Sequence, residues 1–140
     1  MNILAQVFIA KIFVTVALWC LPLIFLPLSM LQSFGLPTGS DGMFLRMLGW
    51  AYLSLCVGYA YGLREALHGR VAMGPVITGI VSNGGACILL VWFGMTGAWD
   101  AWHSWVQIIG WASAIGTAAV TLQLIFFGLL ADRRRASTTV

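Results

Sequence analysis

The sequence predicts an all-α integral membrane protein: an antiparallel bundle of four transmembrane helices in a single domain. Its composition is 61% hydrophobic and only 8% charged, whereas a soluble domain carries about 25% charged residues. Such a chain cannot cover a water-facing surface. Four long apolar segments, at residues 10–30, 44–62, 75–94 and 105–130, each reach the roughly 18–20 residues that a transmembrane helix needs.

The first predicted span, residues 10–30, carries one charge, on Lys11. We expect this side chain to extend to the cytoplasmic interface, with residues Ile3 to Ala10 extending the helix there. The uncharged run Ile12–Met30 is longer than the roughly 7–15 residues of a signal-peptide core and is followed by no small-residue cleavage site. An uncleaved helix is therefore expected, and Pro22 should disturb it one turn upstream.

The second predicted span, residues 44–62, follows a stretch rich in turn-forming residues at Gln32–Asp41, the expected first external loop. Small residues recur every four positions along this span, so they share one face of a helix. Such a face allows close helix packing in membranes. Its members are Ser54, Gly58 and Gly62.

The third predicted span, residues 75–94, begins with Pro75, which suits a first helical turn. Asn83 lies near its middle, where an amide in lipid must find a partner inside the protein. Two interpretations remain open. Asn83 makes a structural bond to a neighbouring helix, with Ser54, Thr15 or Thr117 as partner, or it lines a ligand pocket. The surrounding small residues, which let another helix approach, are Gly79, Ser82, Gly84, Gly85 and Ala86.

The fourth predicted span, residues 105–130, has Gly110 and Ala114 at four-residue spacing. We expect the small residues of the second, third and fourth spans to meet in one close helix contact, the packing seam. Arg133–Arg135 follow it directly. This position is typical of a cytoplasmic stop that contacts lipid headgroups. A nucleic-acid partner is therefore not expected.

The charge distribution predicts the orientation. With the N-terminus inside, six of the seven basic residues lie on the cytoplasmic side, which follows the positive-inside rule. The prediction is N-in and C-in, in a bacterial inner membrane. The six residues are Lys11, Arg64, Arg70 and Arg133–Arg135.

Arg46 is the one basic residue predicted on the outer side. It either contacts lipid phosphate or binds an anionic or carbonyl-bearing ligand, with Trp50 or Tyr52 beside it. In the second case the pocket lies between the second and third helices, and Asn83 marks its floor. A ligand that contacts both ends must be elongated, such as a quinone with its tail.

The sequence predicts no catalytic residue, metal site or cofactor. Cys20, Cys56 and Cys87 lie in separate apolar runs without paired spacing, and His68 and His103 fall on opposite sides of the predicted membrane. No carboxylate lies deep in a span, which counts against proton coupling through such a group. A non-catalytic protein is favoured over an enzyme.

The segment F-L-R-M-L-G-W-A-Y-L at Phe44–Leu53 resembles the second helix of the DoxX-like small bacterial four-helix membrane proteins. The resemblance implies a link to quinone-dependent oxidation and marks Arg46 and Gly49. Small multidrug exporters are less similar, since they depend on a glutamate in the first span and this span has none.

Three functions remain open. The first is a protein that binds a lipophilic small molecule, a lipid or quinone, between its helices. The second is an accessory subunit whose small-residue faces contact another membrane protein or a second copy of the chain. A small transporter or an enzyme has the least support.

Overall fold

The computed structural model describes residues 2–36, 38 and 41–131, and every regular element in this part of the chain is helical. The elements are α1 (Ile3–Phe25), α2 (Leu28–Ser33), α3 (Met43–Leu67), α4 (Met73–Met95) and α5 (Ser104–Leu130). The helices α1, α3, α4 and α5 are long and apolar enough to cross a membrane. The all-helical class and the presence of four helices long and apolar enough to span a membrane are thereby confirmed.

Helix α1 begins and ends earlier than the predicted span at residues 10–30. Asn2 caps its start, because the Asn2 Oδ1 accepts a hydrogen bond of 3.0 Å from the Leu4 N–H. Its end is set by Pro27, which disfavours helical geometry at the residue before it, and Leu26 is extended. Lys11 consequently lies well inside α1 and not at its end.

A π-helical turn at Val16–Cys20 interrupts the regular hydrogen bonding of α1. It lies one turn upstream of Pro22, where the sequence predicts a disturbance. Proline has no N–H to donate, and its ring crowds the carbonyl group one turn back. A wider turn accommodates both effects within a continuous helix.

Each long helix contacts two others: α1 packs against α3 and α5, and α4 packs against α3 and α5. The start of α1 lies beside the end of α3, where Phe8 contacts Gly62. The end of α4 likewise lies beside the start of α5, where Gly94 contacts Trp111. All four helices therefore face a common interior.

A buried apolar cluster fills one end of this interior. It is built from the start of α1, the end of α3, the start of α4 and the end of α5. Tyr59 and Phe8 are its largest side chains, with ring centroids 6.1 Å apart. The cluster consists of Leu4, Ala5, Val7, Phe8, Tyr59, Ala66, Val76 and Leu124.

Aromatic rings close the opposite end. Trp99, in the turn between α4 and α5, is buried, stacks on Trp102 and meets Trp111 edge to face. Phe34 packs edge to face on Trp105 at 4.7 Å. Gly35 has a φ of +80° and approaches the Trp102 backbone so closely that an added Cβ would lie 2.9 Å from its Cα, so only glycine suits this position.

The small residues predicted to form the packing seam divide into two groups. Gly62, Gly79 and Gly110 meet neighbouring side chains so closely that an added Cβ would lie within 3.0 Å of them. Gly84 makes an ordinary contact with Thr121, and Ala114 is buried. A Cβ at Gly58 or Gly85 would meet nothing within 4 Å, and Ser54 is exposed. The structure therefore does not place these last three in a tight helix contact.

Candidate functional site

A cavity of about 490 Å³ lies among the four long helices, between the apolar cluster and the tryptophan-closed end. We call it the central cavity. Its walls combine aromatic and aliphatic side chains with several polar ones. The polar lining residues are Lys11, Thr15, Tyr52, Tyr59, Ser82, Asn83, Ser113 and Thr117.

The polar lining residues lie near the middle of their helices. Thr117 is the middle residue of α5, and Asn83 is one residue from the middle of α4. Lys11 is three residues from the middle of α1, roughly 5 Å along the axis at 1.5 Å per residue. The middle of a helix that spans a bilayer lies in its hydrocarbon core. In a bilayer spanned by these helices, a hydrogen bond or charge in this cavity would be far from bulk water.

Asn83 is 1% exposed and has one half of its amide unsatisfied. Its Nδ2 donates to the Gly79 carbonyl oxygen at 2.7 Å. This bond sets the amide orientation, because a carbonyl can only accept. Within the described part of the chain, the Asn83 Oδ1 has no hydrogen-bond partner, which costs about 1–3 kcal/mol for a buried acceptor. A ligand donor would remove that cost.

None of the three residues expected to bond Asn83 from a neighbouring helix does so. Ser54 donates to the Trp50 carbonyl in its own helix at 3.0 Å. Thr117 donates to the Ser113 carbonyl at 2.8 Å. Thr15 lines the cavity together with Asn83 but makes no hydrogen bond to it. The structure therefore does not show Asn83 bonded to any of the three predicted partners.

Lys11 brings a positive charge to the cavity wall. Lys11, Thr15 and Trp19 are spaced four residues apart, so they share the inward face of α1. Among the described residues, the Lys11 ammonium has no ion pair. The ion pair in this part of the chain joins Arg70 to Glu65. A cation at this depth is costly without a counter-ion, so Lys11 is an uncompensated charge facing an open space.

The remaining polar groups define the wall shared by α3 and α4. The Tyr59 hydroxyl and the Ser82 hydroxyl are 2.7 Å apart, in a hydrogen bond that links the two helices. Tyr52 packs beside Trp19, with ring centroids 6.2 Å apart. These contacts fix the aromatic side of the cavity in place.

A second cavity of about 240 Å³ lies between α1 and α5. It shares a wall with the central cavity, and this wall includes Lys11. The remaining lining is aliphatic or small. The shared residues are Lys11, Thr15, Trp19, Ser113 and Thr117.

The central cavity opens to the outer surface of the helices along α4. Val81, Leu89 and Phe93 line it and are also exposed. In a membrane this surface faces lipid, and the opening is apolar. An alkyl or isoprenoid chain can therefore extend through it while a polar head remains inside.

Arg46 and Trp50 do not line the central cavity. The Arg46 guanidinium donates two hydrogen bonds, to the carbonyls of Leu23 at 2.7 Å and Leu26 at 2.6 Å. Those carbonyls lie at the end of α1, where Pro27 interrupts the helix. Trp50 is 60% exposed. Of the four predicted ligand-binding residues, the cavity brings together Tyr52 and Asn83.

Three important cavity residues were not predicted as ligand contacts: Lys11, Ser113 and Tyr59. A signal for the first two is present in the sequence. Lys11–Thr15–Trp19 and Ser113–Thr117–Thr121 each repeat every four residues, which places non-aliphatic side chains on one face of an otherwise apolar helix.

Comparisons of this chain with protein-family models, with curated proteins and with solved structures find no match.

Proposed function

We propose that this chain is a non-catalytic, multi-pass protein of the bacterial inner membrane that binds a lipophilic small molecule in the central cavity. Its four spans form an antiparallel bundle with both termini in the cytoplasm. The observation that carries the proposal is the buried, unpartnered Asn83 Oδ1 on the wall of a cavity of about 490 Å³. Ligand pockets typically measure about 300–1,000 Å³ and combine apolar walls with a few polar groups.

The polar groups restrict the chemistry of the head group. Asn83 Oδ1 accepts a hydrogen bond, so it matches a hydroxyl or N–H. Lys11 donates, so it matches an oxygen. A hydroxyl-bearing lipid or a hydroquinone offers both functions. An oxidised quinone has only acceptor oxygens and fits Lys11 better than Asn83.

Native mass spectrometry of gently extracted protein tests this proposal. The wild type should retain a lipid or quinone. Gly85→Leu should abolish retention, because Gly85 lines the cavity and its added side chain would project into that space. Gly58→Leu is the matched control: a Cβ there also meets nothing within 4 Å, but Gly58 lies outside the central cavity. Equal ligand loss in both variants, or no ligand in any sample, would contradict the proposal.

An accessory subunit is the second candidate, and one surface supports it. Ser54, Gly58 and Gly74 line an open groove of about 340 Å³ between α3 and α4. Small residues on an outer face let a helix of another membrane protein, or of a second copy, approach closely. In this case Gly58→Leu should displace a stoichiometric protein partner, and Gly85→Leu should not.

A further inference from the structure

We infer that the ligand of the central cavity is an anion: a single-chain amphiphile whose carboxylate or phosphate oxygen is held by Lys11. The inference rests on the proposed function and adds the charge of the head group. It excludes a neutral quinone as the main occupant.

The first step is the absence of a protein counter-ion. The lining of the central cavity includes Lys11 but no aspartate or glutamate. Within the described residues the carboxylates lie elsewhere. Asp41 precedes α3, and Asp100 lies in the turn after α4. Glu65 lies in the last turn of α3 and pairs with Arg70, which follows that helix. Among the described residues no carboxylate balances the charge of Lys11, and a ligand bound in the cavity can supply the opposite charge.

The second step is the cost of leaving Lys11 unbalanced. A buried charge is expensive in a low-dielectric interior and is tolerated when an opposite charge and hydrogen bonds accompany it. Thr15 and Ser113, whose hydroxyls have no hydrogen-bond acceptor among the described residues, line both cavities together with Lys11. The Thr117 hydroxyl, in contrast, already donates to the Ser113 carbonyl. Hydroxyl groups can donate to an anionic oxygen, so Thr15 and Ser113 complete a site for a carboxylate or a phosphate.

The third step concerns the rest of the ligand. The lining residues Val81, Leu89 and Phe93 form an apolar opening toward lipid. One alkyl chain can leave through it while the head stays beside Lys11. The Asn83 Oδ1 additionally favours a head that carries a hydroxyl or N–H next to its anionic oxygen.

The test compares ligands of the same chain length and different charge. Radiolabelled palmitic acid, hexadecyl phosphate and methyl palmitate are titrated against the full chain in nanodiscs of phosphatidylcholine. We expect at least one of the two anions to bind about tenfold or more tightly than methyl palmitate. Preference between the anions identifies the source: the carboxylate indicates a free fatty acid, and the phosphate indicates a phospholipid-type head.

Variants assign the effect to Lys11. Lys11→Met should remove the advantage of the anions, so that the acid, the phosphate and methyl palmitate bind with similar affinity, and Lys11→Arg should retain the advantage. Arg64→Met removes one exposed charge outside the cavity and should change neither affinity. If a Lys11 variant fails to fold, the wild-type comparison of acid with ester still decides the question.

Two results would overturn the inference, and they differ in whether the proposed lipophilic binding site is rejected as well. Equal binding of the anions and methyl palmitate would reject an anionic ligand while leaving the proposed lipophilic site intact. Binding of none of the three amphiphiles would reject both the anionic ligand and a cavity that accepts chains of this kind.

Discussion

Two basic side chains point into the protein and meet different surroundings. Arg46 donates to the carbonyls of Leu23 and Leu26, which the break at Pro27 leaves without helical partners. The planar guanidinium suits two acceptors at once. Lys11, in contrast, lines a cavity that offers no carboxylate. The cation available to attract a ligand is therefore Lys11, and the role of Arg46 is to cap α1.

Arg46→Met should destabilise the fold without removing ligand. The two carbonyls would lose charge-assisted hydrogen bonds, at a cost of about 1–3 kcal/mol in total. Thermal unfolding in detergent measures the loss, and Arg64→Met is the control because that side chain is exposed. A melting temperature equal to that of the control would show that the two bonds contribute nothing.

The sequence predicts a polar residue of the site most readily where that residue interrupts a long apolar run. Asn83 interrupts a long apolar run, so its importance is visible without a structure. The place of Lys11 on the cavity wall is not visible in the sequence, because the uncharged run Ile12–Met30 places the lysine at the end of the predicted span. Its position within the helix depends on the Asn2 cap and on the break before Pro27, which together place α1 at Ile3–Phe25.

At the scale of the helices, four-residue spacing identifies which small residues share a face but not which face meets a neighbour. Gly62 meets Phe8 and Pro75 closely, whereas Gly58, one turn earlier on the same stripe, faces the open groove. The difference is that side chains of α1 and α4 reach Gly62 and none reaches Gly58. Which neighbours reach a position is a tertiary property, so the spacing alone cannot reveal it.

Alanine substitutions should separate the two kinds of glycine. At Gly62 the new Cβ would lie 2.8 Å from both the Phe8 ring and the Pro75 Cβ, and such overpacking costs about 1–3 kcal/mol. At Gly58 it would meet nothing within 4 Å, so stability should change little. Melting curves of Gly62→Ala and Gly58→Ala in one detergent compare them. A larger loss at Gly58 than at Gly62 would refute this assignment of the packing contacts.

At the scale of the whole molecule, both ends of the helix assembly are filled and its middle is not. The apolar cluster closes one end, and Trp99 with its neighbouring tryptophans closes the other. The four spans and the helical class follow from composition and segment length. The cavity does not, because it depends on how the side chains of four helices meet.

The distribution of basic residues bears on the orientation of the whole molecule in the membrane. Lys11 lines the central cavity, and Arg133–Arg135 lie outside the described residues. Arg64 and Arg70 remain at the turn between α3 and α4, where Glu65 binds Arg70 at 2.6 Å and raises the pKa of that guanidinium. Arg46 remains at the opposite end. The positive-inside rule still favours a cytoplasmic turn after α3.

Cysteine labelling of intact cells tests this orientation. Ser40, in the expected first external loop, and Ser137, after Arg133–Arg135, lie outside the described residues, so exposed described positions are better choices. Asp100→Cys, in the turn between α4 and α5, should react with a membrane-impermeant maleimide added from outside. His68→Cys, in the turn between α3 and α4, should react only after permeabilisation. The wild type reports background, since Cys20 and Cys56 are buried and Cys87 is half-buried. External labelling of His68→Cys with protection of Asp100→Cys would place the N-terminus outside and reverse the proposed topology.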